Sequence, residues 1–110
     1  MRIFYHVTTE KQLDSILKTG LRPNIGPLSK LYGETESRIY LFPDETTMVD
    51  AVMNWLGENY ERVYGENVVL KALCLSLPDD FPIRQPGETN YEVYSYVPVP
   101  AKYIAKVTEI

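Results

Sequence analysis

The sequence predicts an α+β domain in which a mostly antiparallel β-sheet is flanked by two short helices. The chain has 110 residues, a common length for one domain. Strand-like and helical patterns follow one another in the order β-α-β-α-β-β-β, which is typical of α+β proteins. No repeat, linker or low-complexity segment interrupts residues 1–110. We therefore expect one domain that spans the whole sequence.

The first strand is predicted at residues 2–7, and a helix follows it. Thr9 is the expected N-cap, with Gln12 three residues later as its capping-box partner. The apolar positions of this helix have the spacing i, i+3 and i+4: Leu13, Ile16 and Leu17. Gly20 is expected to end the helix at the C′ position.

A second helix is predicted from about Thr47, with its end at Gly57 or Asn59. Its apolar stripe consists of Met48, Ala51, Val52, Trp55 and Leu56. We interpret Met53 and Trp55 as part of the helix core rather than of a ligand pocket.

Two long loops are predicted at residues 21–37 and 78–90, where proline and glycine are frequent. The remaining strands are predicted at residues 38–42, 67–77, 91–97 and 103–107. The strand at 67–77 is apolar on both faces apart from Lys71 and Ser76, as a central strand would be.

Composition narrows the function classes only a little. The 15 acidic and 11 basic residues give a net charge of −4, which does not favour binding to nucleic acid phosphates. The single cysteine, Cys74, excludes a disulfide framework within the chain and a cysteine-based metal site. The sequence shows neither an apolar stretch long enough to cross a membrane nor a signal peptide, so we expect a cytoplasmic protein.

Three residues are candidates for chemistry, and each also has a purely structural interpretation. His6 lies at the end of a strand, where it is either a half-buried histidine or a ligand-binding group. Tyr40 is either a strand aromatic or a stacking platform. Glu92 opens an aromatic strand and is either solvated or functional. No metal site is expected, because no second His or Cys accompanies His6.

The order of these motifs resembles the ADP-ribosyltransferase superfamily, on the His-Tyr-Glu branch that includes the poly-ADP-ribose polymerases. Residues 5–9, 13–16 and 20–23 are similar to the opening of small microbial members, such as RNA 2′-phosphotransferases and DNA-modifying toxin transferases. Residues 92–104 are similar to the last block of the polymerase-type members. The resemblance extends over about residues 3–107 and implies that superfamily's split β-sheet.

The resemblance implies NAD as co-substrate and an oxocarbenium-like transition state at its nicotinamide ribose. His6 would bind a ribose hydroxyl, Thr8 would assist through its hydroxyl or backbone, and Tyr40 would stack on the nicotinamide ring. Glu92 would be the catalytic residue that stabilises the cation and orients the nucleophile. A cofactor-binding arginine, Arg22, would reach the pyrophosphate.

Two features distinguish the chain from the similar microbial groups. Arg38 is a second candidate for binding the pyrophosphate. The chain has fewer phosphate-binding arginines than the RNA 2′-phosphotransferases. The toxin-type DNA transferases have an arginine at the position of His6. The loop at residues 21–37 is the best candidate for recognition of an acceptor.

The first functional hypothesis is an NAD-dependent mono-ADP-ribosyltransferase that modifies a macromolecular acceptor, a toxin or effector candidate. The acidic composition favours a protein acceptor over nucleic acid. One alternative is a non-catalytic module of the same fold that binds NAD, ADP-ribose or a protein. The other is a transferase or phosphotransferase that acts on nucleic acid through a local basic patch, formed by Lys11, Lys18, Arg22 and Lys30. The sequence leaves the oligomeric state open.

Overall fold

The protein has an α+β architecture with two antiparallel sheets, as seen in a computed structural model that describes residues 1–31, 33, 36–85 and 93–110. Residues 28 and 29 are described by their backbone alone. The elements in chain order are β1 (Arg2–Thr9), α1 (Glu10–Thr19), α2 (Pro27–Leu31), β2 (Ile39–Leu41), α3 (Glu45–Ala51), a π-helical turn (Val52–Leu56), α4 (Gly57–Tyr64), β3 (Leu70–Leu77), β4 (Val93–Ser95), a 3₁₀ turn (Ala101–Tyr103) and β5 (Ile104–Glu109). The predicted α+β class and antiparallel pairing are confirmed.

The larger sheet has the strand order β1-β3-β5, with both pairs antiparallel. Its central strand is β3, which pairs with β1 from Arg2↔Leu77 to Thr9↔Leu70. Leu73 and Leu75 of β3 are completely buried in the main core. The central position predicted for this strand is therefore correct, and the helix α1 packs on the same core through its apolar face.

The smaller sheet consists of β2 and β4, paired in the register Ile39↔Ser95, Tyr40↔Tyr94 and Leu41↔Val93. Side chains alternate between its two faces, because successive residues of a strand point to opposite sides. One face is buried in the core: Ile39, Leu41, Val93 and Ser95. The other face carries Tyr40 and Tyr94, which are half-buried. A backbone bridge between Tyr5 and Phe42, with N···O distances of 2.9 and 2.7 Å, links the two sheets.

Helix α1 begins after Thr9 and ends at Gly20, as predicted, but the predicted capping contact is absent. The Gly20 N–H donates to Ile16 O at 2.7 Å, and the positive φ of 80° at Gly20 turns the chain out of the helix. The residue before the helix is Thr9, but its side chain makes no capping hydrogen bond. The predicted capping box is wrong, because Gln12 is engaged by the hydroxyl of Thr8 instead.

The second helical segment is longer than predicted at both ends. It begins at Glu45, because the Asp44 carboxylate caps it by accepting from Thr47 N at 2.7 Å. It passes through Gly57 to Tyr64, so the predicted end is wrong. The reason is the π-helical turn, in which the Gly57 N–H donates to Val52 O. A Cβ at position 57 would lie 2.3 Å from that oxygen, and glycine is therefore required inside the helix rather than after it.

Other boundaries also differ from the prediction. The loop at residues 21–37 contains the short helix α2, and the predicted strands at 67–77, 91–97 and 103–107 become β3, β4 and β5. Residues 91 and 92, and part of the predicted loop at 78–90, lie outside the described residues. Met53 is 78% exposed, so its assignment to the core is wrong.

Within the described part of the chain, no helix is long and apolar enough to cross a membrane.

Candidate functional site

A cavity of about 860 Å³ lies between α1, β2 and the helical segment that contains α4. This volume lies within the usual range for small-molecule sites. Four residues predicted to bind NAD contribute to its wall, from separate parts of the sequence: His6, Thr8, Arg22 and Tyr40. The fifth predicted residue, Glu92, lies outside the described residues and its role stays a prediction.

His6 lies near the end of β1, where its ring is held by the neighbouring sheet. Its Nδ1 lies 2.7 Å from the backbone oxygen of Tyr40. A carbonyl oxygen only accepts hydrogen bonds, so Nδ1 carries the proton. Burial lowers the pKa of the imidazole below its usual 6.5, outweighing the Tyr40 hydrogen bond, which raises it. The histidine is therefore neutral at pH 7, with Nε2 as a hydrogen-bond acceptor.

Tyr40 lies on the half-buried face of the smaller sheet and lines the cavity. Its ring centroid is 6.2 Å from that of Tyr94, its cross-strand partner, with the planes inclined at 57°. Its hydroxyl lies 3.4 Å from Nη1 of Arg38, which donates to it. The ring is thus bordered by an aromatic neighbour and a guanidinium.

Arg38 lies at the wall of the same cavity, as does Arg22. The sequence left open which of the two reaches a ligand phosphate, and the structure brings both to the cavity. The Arg38 guanidinium is 4.3 Å above the Tyr94 ring and donates from Nη2 to Glu36 Oε2 at 2.6 Å. Hydrogen bonds from Tyr96 and then from Arg38 hold the pKa of the Glu36 carboxyl below its usual value. Arg22 is exposed and forms no ion pair with the described residues.

Thr8 takes part in the site through Gln12. Thr8 is only 1% exposed, and its hydroxyl donates to Gln12 Oε1 at 3.1 Å. Because Oε1 is occupied in this way, the Gln12 amide nitrogen is the group free to donate to a ligand. Sequence reasoning missed Gln12, since three residues after a possible N-cap it matched a capping box. The Thr8 contact was not predictable from spacing, because Thr8 lies on β1 and Gln12 on α1.

The charge of the cavity wall is opposite in sign to the charge of the chain. Lys11, Arg22 and Arg38 line it, Arg38 being paired with Glu36, and the described lining residues include no Asp or Glu. The chain as a whole has a net charge of −4. A cationic concavity in an acidic protein favours an anionic ligand, because nearby low-dielectric walls strengthen the local field.

Aromatic residues form another part of the wall. Tyr60 and Tyr64 stack with their ring centroids 5.7 Å apart, and the Tyr60 hydroxyl donates to Val7 O at 3.0 Å. Trp55 also lines the cavity, so its interpretation as helix core alone was wrong. The π-helical turn was not visible in the sequence pattern, and it changes which residues of this helix face the site. Flat aromatic faces suit a planar ring of a ligand.

No group of three or more His, Cys, Asp or Glu side chains among the described residues could hold a metal ion. No protein-family model, curated protein sequence or solved structure matches this chain.

Proposed function

We propose that the protein is an NAD-dependent ADP-ribosyltransferase with the split-sheet fold of that superfamily, acting on a macromolecular acceptor. One observation carries the proposal. The motif residues His6 and Thr8 of β1, Arg22 after α1 and Tyr40 of β2 come from three segments of the sequence and line one cavity. Residues that are distant in the sequence and meet at one concave surface are typical of a ligand site, so this convergence supports a shared ligand.

The lining residues match the chemical parts of NAD. His6 Nε2 accepts a hydrogen bond from a ribose hydroxyl, and the Gln12 amide donates to a ligand oxygen. Lys11 and Arg22 neutralise the pyrophosphate, which carries the charge that the cavity wall favours. Tyr40 provides a flat surface for the nicotinamide ring.

NAD supplies the ADP-ribosyl group, with nicotinamide as leaving group. In this proposal Glu92 stabilises the positive charge that develops on the ribose, as carboxylates do in glycoside hydrolysis. Nicotinamide leaves with the electron pair of the broken glycosidic bond, and the acceptor nucleophile forms the new bond to the same carbon. Glu92 also orients that nucleophile and takes up its proton.

Nicotinamide release from NAD, followed by chromatography, tests the proposal. We expect wild type to release nicotinamide and Glu92→Gln to lose kcat by about 100-fold or more, with a smaller change in KM. Glu66→Gln is the matched control, because Glu66 is exposed and does not line the cavity. Absence of release by wild type would overturn the enzymatic proposal, and NAD binding without release would favour the non-catalytic module.

The acceptor is identified by transferring label from NAD to a cell lysate. We propose a protein acceptor, because the net charge of −4 repels a polyanion. The label should then be removed by protease and resist nuclease. Label that nuclease removes would instead support the alternative of a nucleic acid acceptor, bound through the cationic cavity.

A further inference from the structure

We propose that Arg38 is a positioning residue that holds the Tyr40 ring in place at the cavity wall. The inference rests on the proposed function only for the contact between Tyr40 and NAD. Its structural part, the dependence of Tyr40 on Arg38, stands on the geometry of the smaller sheet.

The alternation of side chains along the smaller sheet brings these groups together. Arg38 and Tyr40 are two residues apart and therefore share a face, while Tyr94 lies directly across from Tyr40. The guanidinium stacks on Tyr94 at 4.3 Å from its centroid and reaches the Tyr40 hydroxyl at 3.4 Å. Arg38 thus connects the two tyrosines on one side of the cavity.

Arg38 is itself held in place on its other side. Its Nη2 donates to Glu36 Oε2 at 2.6 Å, and the Tyr96 hydroxyl donates to the same oxygen at 2.6 Å. The guanidinium also lies 5.6 Å from the centroid of the Tyr96 ring. Contacts with a carboxylate, a phenol and an aromatic face together need a planar group with several donors. Lysine has neither the plane nor the fixed donor directions.

The effect of an Arg38 substitution on NAD kinetics follows from the contact that Tyr40 makes with the ligand. A ring that stacks on the ligand contributes equally before and during the chemical step, so loosening it weakens binding more than turnover. We expect Arg38→Lys to raise KM for NAD about fivefold. This factor corresponds to the free energy of one cation–π contact, here the contact between Arg38 and Tyr94. The same variant should change kcat less than twofold, within the scatter expected for uniform binding.

The test observes Tyr40 directly, with the protein labelled with 3-fluorotyrosine and its ¹⁹F spectrum recorded. Tyr40→Phe assigns the Tyr40 signal, and circular dichroism establishes that each variant is folded. Arg38→Lys should shift or broaden that signal, and Glu36→Gln should move it in the same direction by a smaller amount. Arg84→Lys is the matched control, because its guanidinium lies 6.0 Å from the Tyr96 ring centroid and does not line the cavity.

The two readouts separate the possible failures. A Tyr40 signal unchanged in folded Arg38→Lys overturns the positioning role, whatever the turnover of NAD. A moved signal with no nicotinamide release from wild type supports the positioning role and overturns the proposed NAD chemistry alone. A moved signal with a fivefold higher KM supports both. A fall in kcat that exceeds the rise in KM overturns the claim that Arg38 acts through a ring that only binds.

Discussion

At the scale of single residues, the protonation state of His6 decides what the cavity can bind. The backbone oxygen of Tyr40 accepts from Nδ1, and burial keeps the pKa of the ring below 6.5. Nε2 therefore accepts a hydrogen bond at neutral pH and becomes a donor only after the ring is protonated. This places a proton acceptor in a cavity whose wall is otherwise rich in cations.

Protonation of His6 makes the free energy of unfolding fall as the pH is lowered. Because the folded-state pKa of His6 is lowered, the unfolded chain takes up the proton first as the pH falls below about 6.5. The contribution of His6 is thus complete above pH 6.5 and is lost as the pH falls toward the folded-state value. Urea unfolding from pH 7.5 to 5.5 should show wild type losing more free energy of unfolding than His6→Gln.

The same variant provides the control, since His6→Gln keeps every carboxylate that titrates at lower pH. Parallel stability curves for the two proteins would contradict the assignment of a half-buried, neutral histidine. NAD affinity should fall only at lower pH, as the folded-state ring takes up its proton, because a protonated Nε2 can no longer accept from a ribose hydroxyl.

Sequence reasoning identified some site residues and missed others for a physical reason. His6 and Tyr40 were found because they lie within short motifs of fixed order. Gln12, and Lys11, which the sequence offered only as part of a basic patch, lie on helix α1 and reach the cavity because that helix packs beside the smaller sheet. Which side of a helix faces a cavity depends on tertiary packing, and a local pattern does not contain it.

At the scale of elements, Gly20 controls the close approach of α1 to the segment before β5. Its φ is 80°, and a Cβ there would lie 2.2 Å from Val99 O and 2.9 Å from Ala101 N. Leu21 then pairs with Val99 through two backbone hydrogen bonds, both 2.9 Å long. Glycine is needed at this position because φ is positive and because the neighbouring backbone leaves no room for a Cβ.

Gly20→Ala should therefore lower the free energy of unfolding by about 3 kcal/mol, through backbone strain together with a backbone clash. Gly65→Ala is the matched control at the end of α4, because its φ is 103° but no atom lies within 4 Å of a Cβ. Strain alone should cost about 1 kcal/mol there. Equal losses in urea titrations of the two variants would show that the contact at Val99 has no role.

The π-helical turn predicts that replacing a second glycine, Gly57, with alanine changes stability in an unusual direction. Gly→Ala inside an ordinary helix stabilises by about 1 kcal/mol. Gly57→Ala should destabilise instead, because its Cβ would meet Val52 O at 2.3 Å. If the turn converts to an α-helix to avoid the clash, Tyr60 and Tyr64 rotate relative to Trp55 and the ligand cavity changes shape. Thermal unfolding gives the sign, and a stabilised variant would contradict the role of the turn.

The elements show what a sequence pattern can and cannot predict. Gly20 ends its helix as the glycine rule predicts, whereas Gly57 does not, although both follow apolar helical patterns. The difference is the π-helical turn, in which the Gly57 N–H donates to Val52 O. Sequence periodicity has no signal for that turn, because the apolar stripe before it is identical in either case.

At the scale of the whole molecule, local patterns predict the order of helices and strands, whereas a split sheet was implied only by the family resemblance. The order depends on local periodicity, which the chain shows clearly. The division into two sheets depends on long-range pairing, namely of β1 with β3 and of β2 with β4. The cavity lies where these sheets meet helix α1, so its existence could not be read from local patterns.

The distribution of charge is also a property of the whole molecule. An acidic chain with a net charge of −4 collects Lys11, Arg22 and Arg38 at one concave surface. Composition alone predicts an acidic protein with no preference for phosphates. The folded arrangement favours a small anionic ligand such as a dinucleotide, and it resolves the apparent conflict between the acidic sequence and the proposed NAD site.

The most direct test of this account is a fluorescence titration with NAD, using Trp55 as the reporter. Trp55 is the single tryptophan of the chain and lines the cavity. We predict a saturable change in wild type and about tenfold weaker binding in Arg22→Gln, from loss of a charge-assisted contact. Arg62→Gln, which removes an exposed arginine of α4 outside the cavity, should bind NAD as wild type does. An unchanged Trp55 signal at millimolar NAD, or equal affinity in Arg22→Gln and wild type, would contradict the proposal that this cavity is an NAD site.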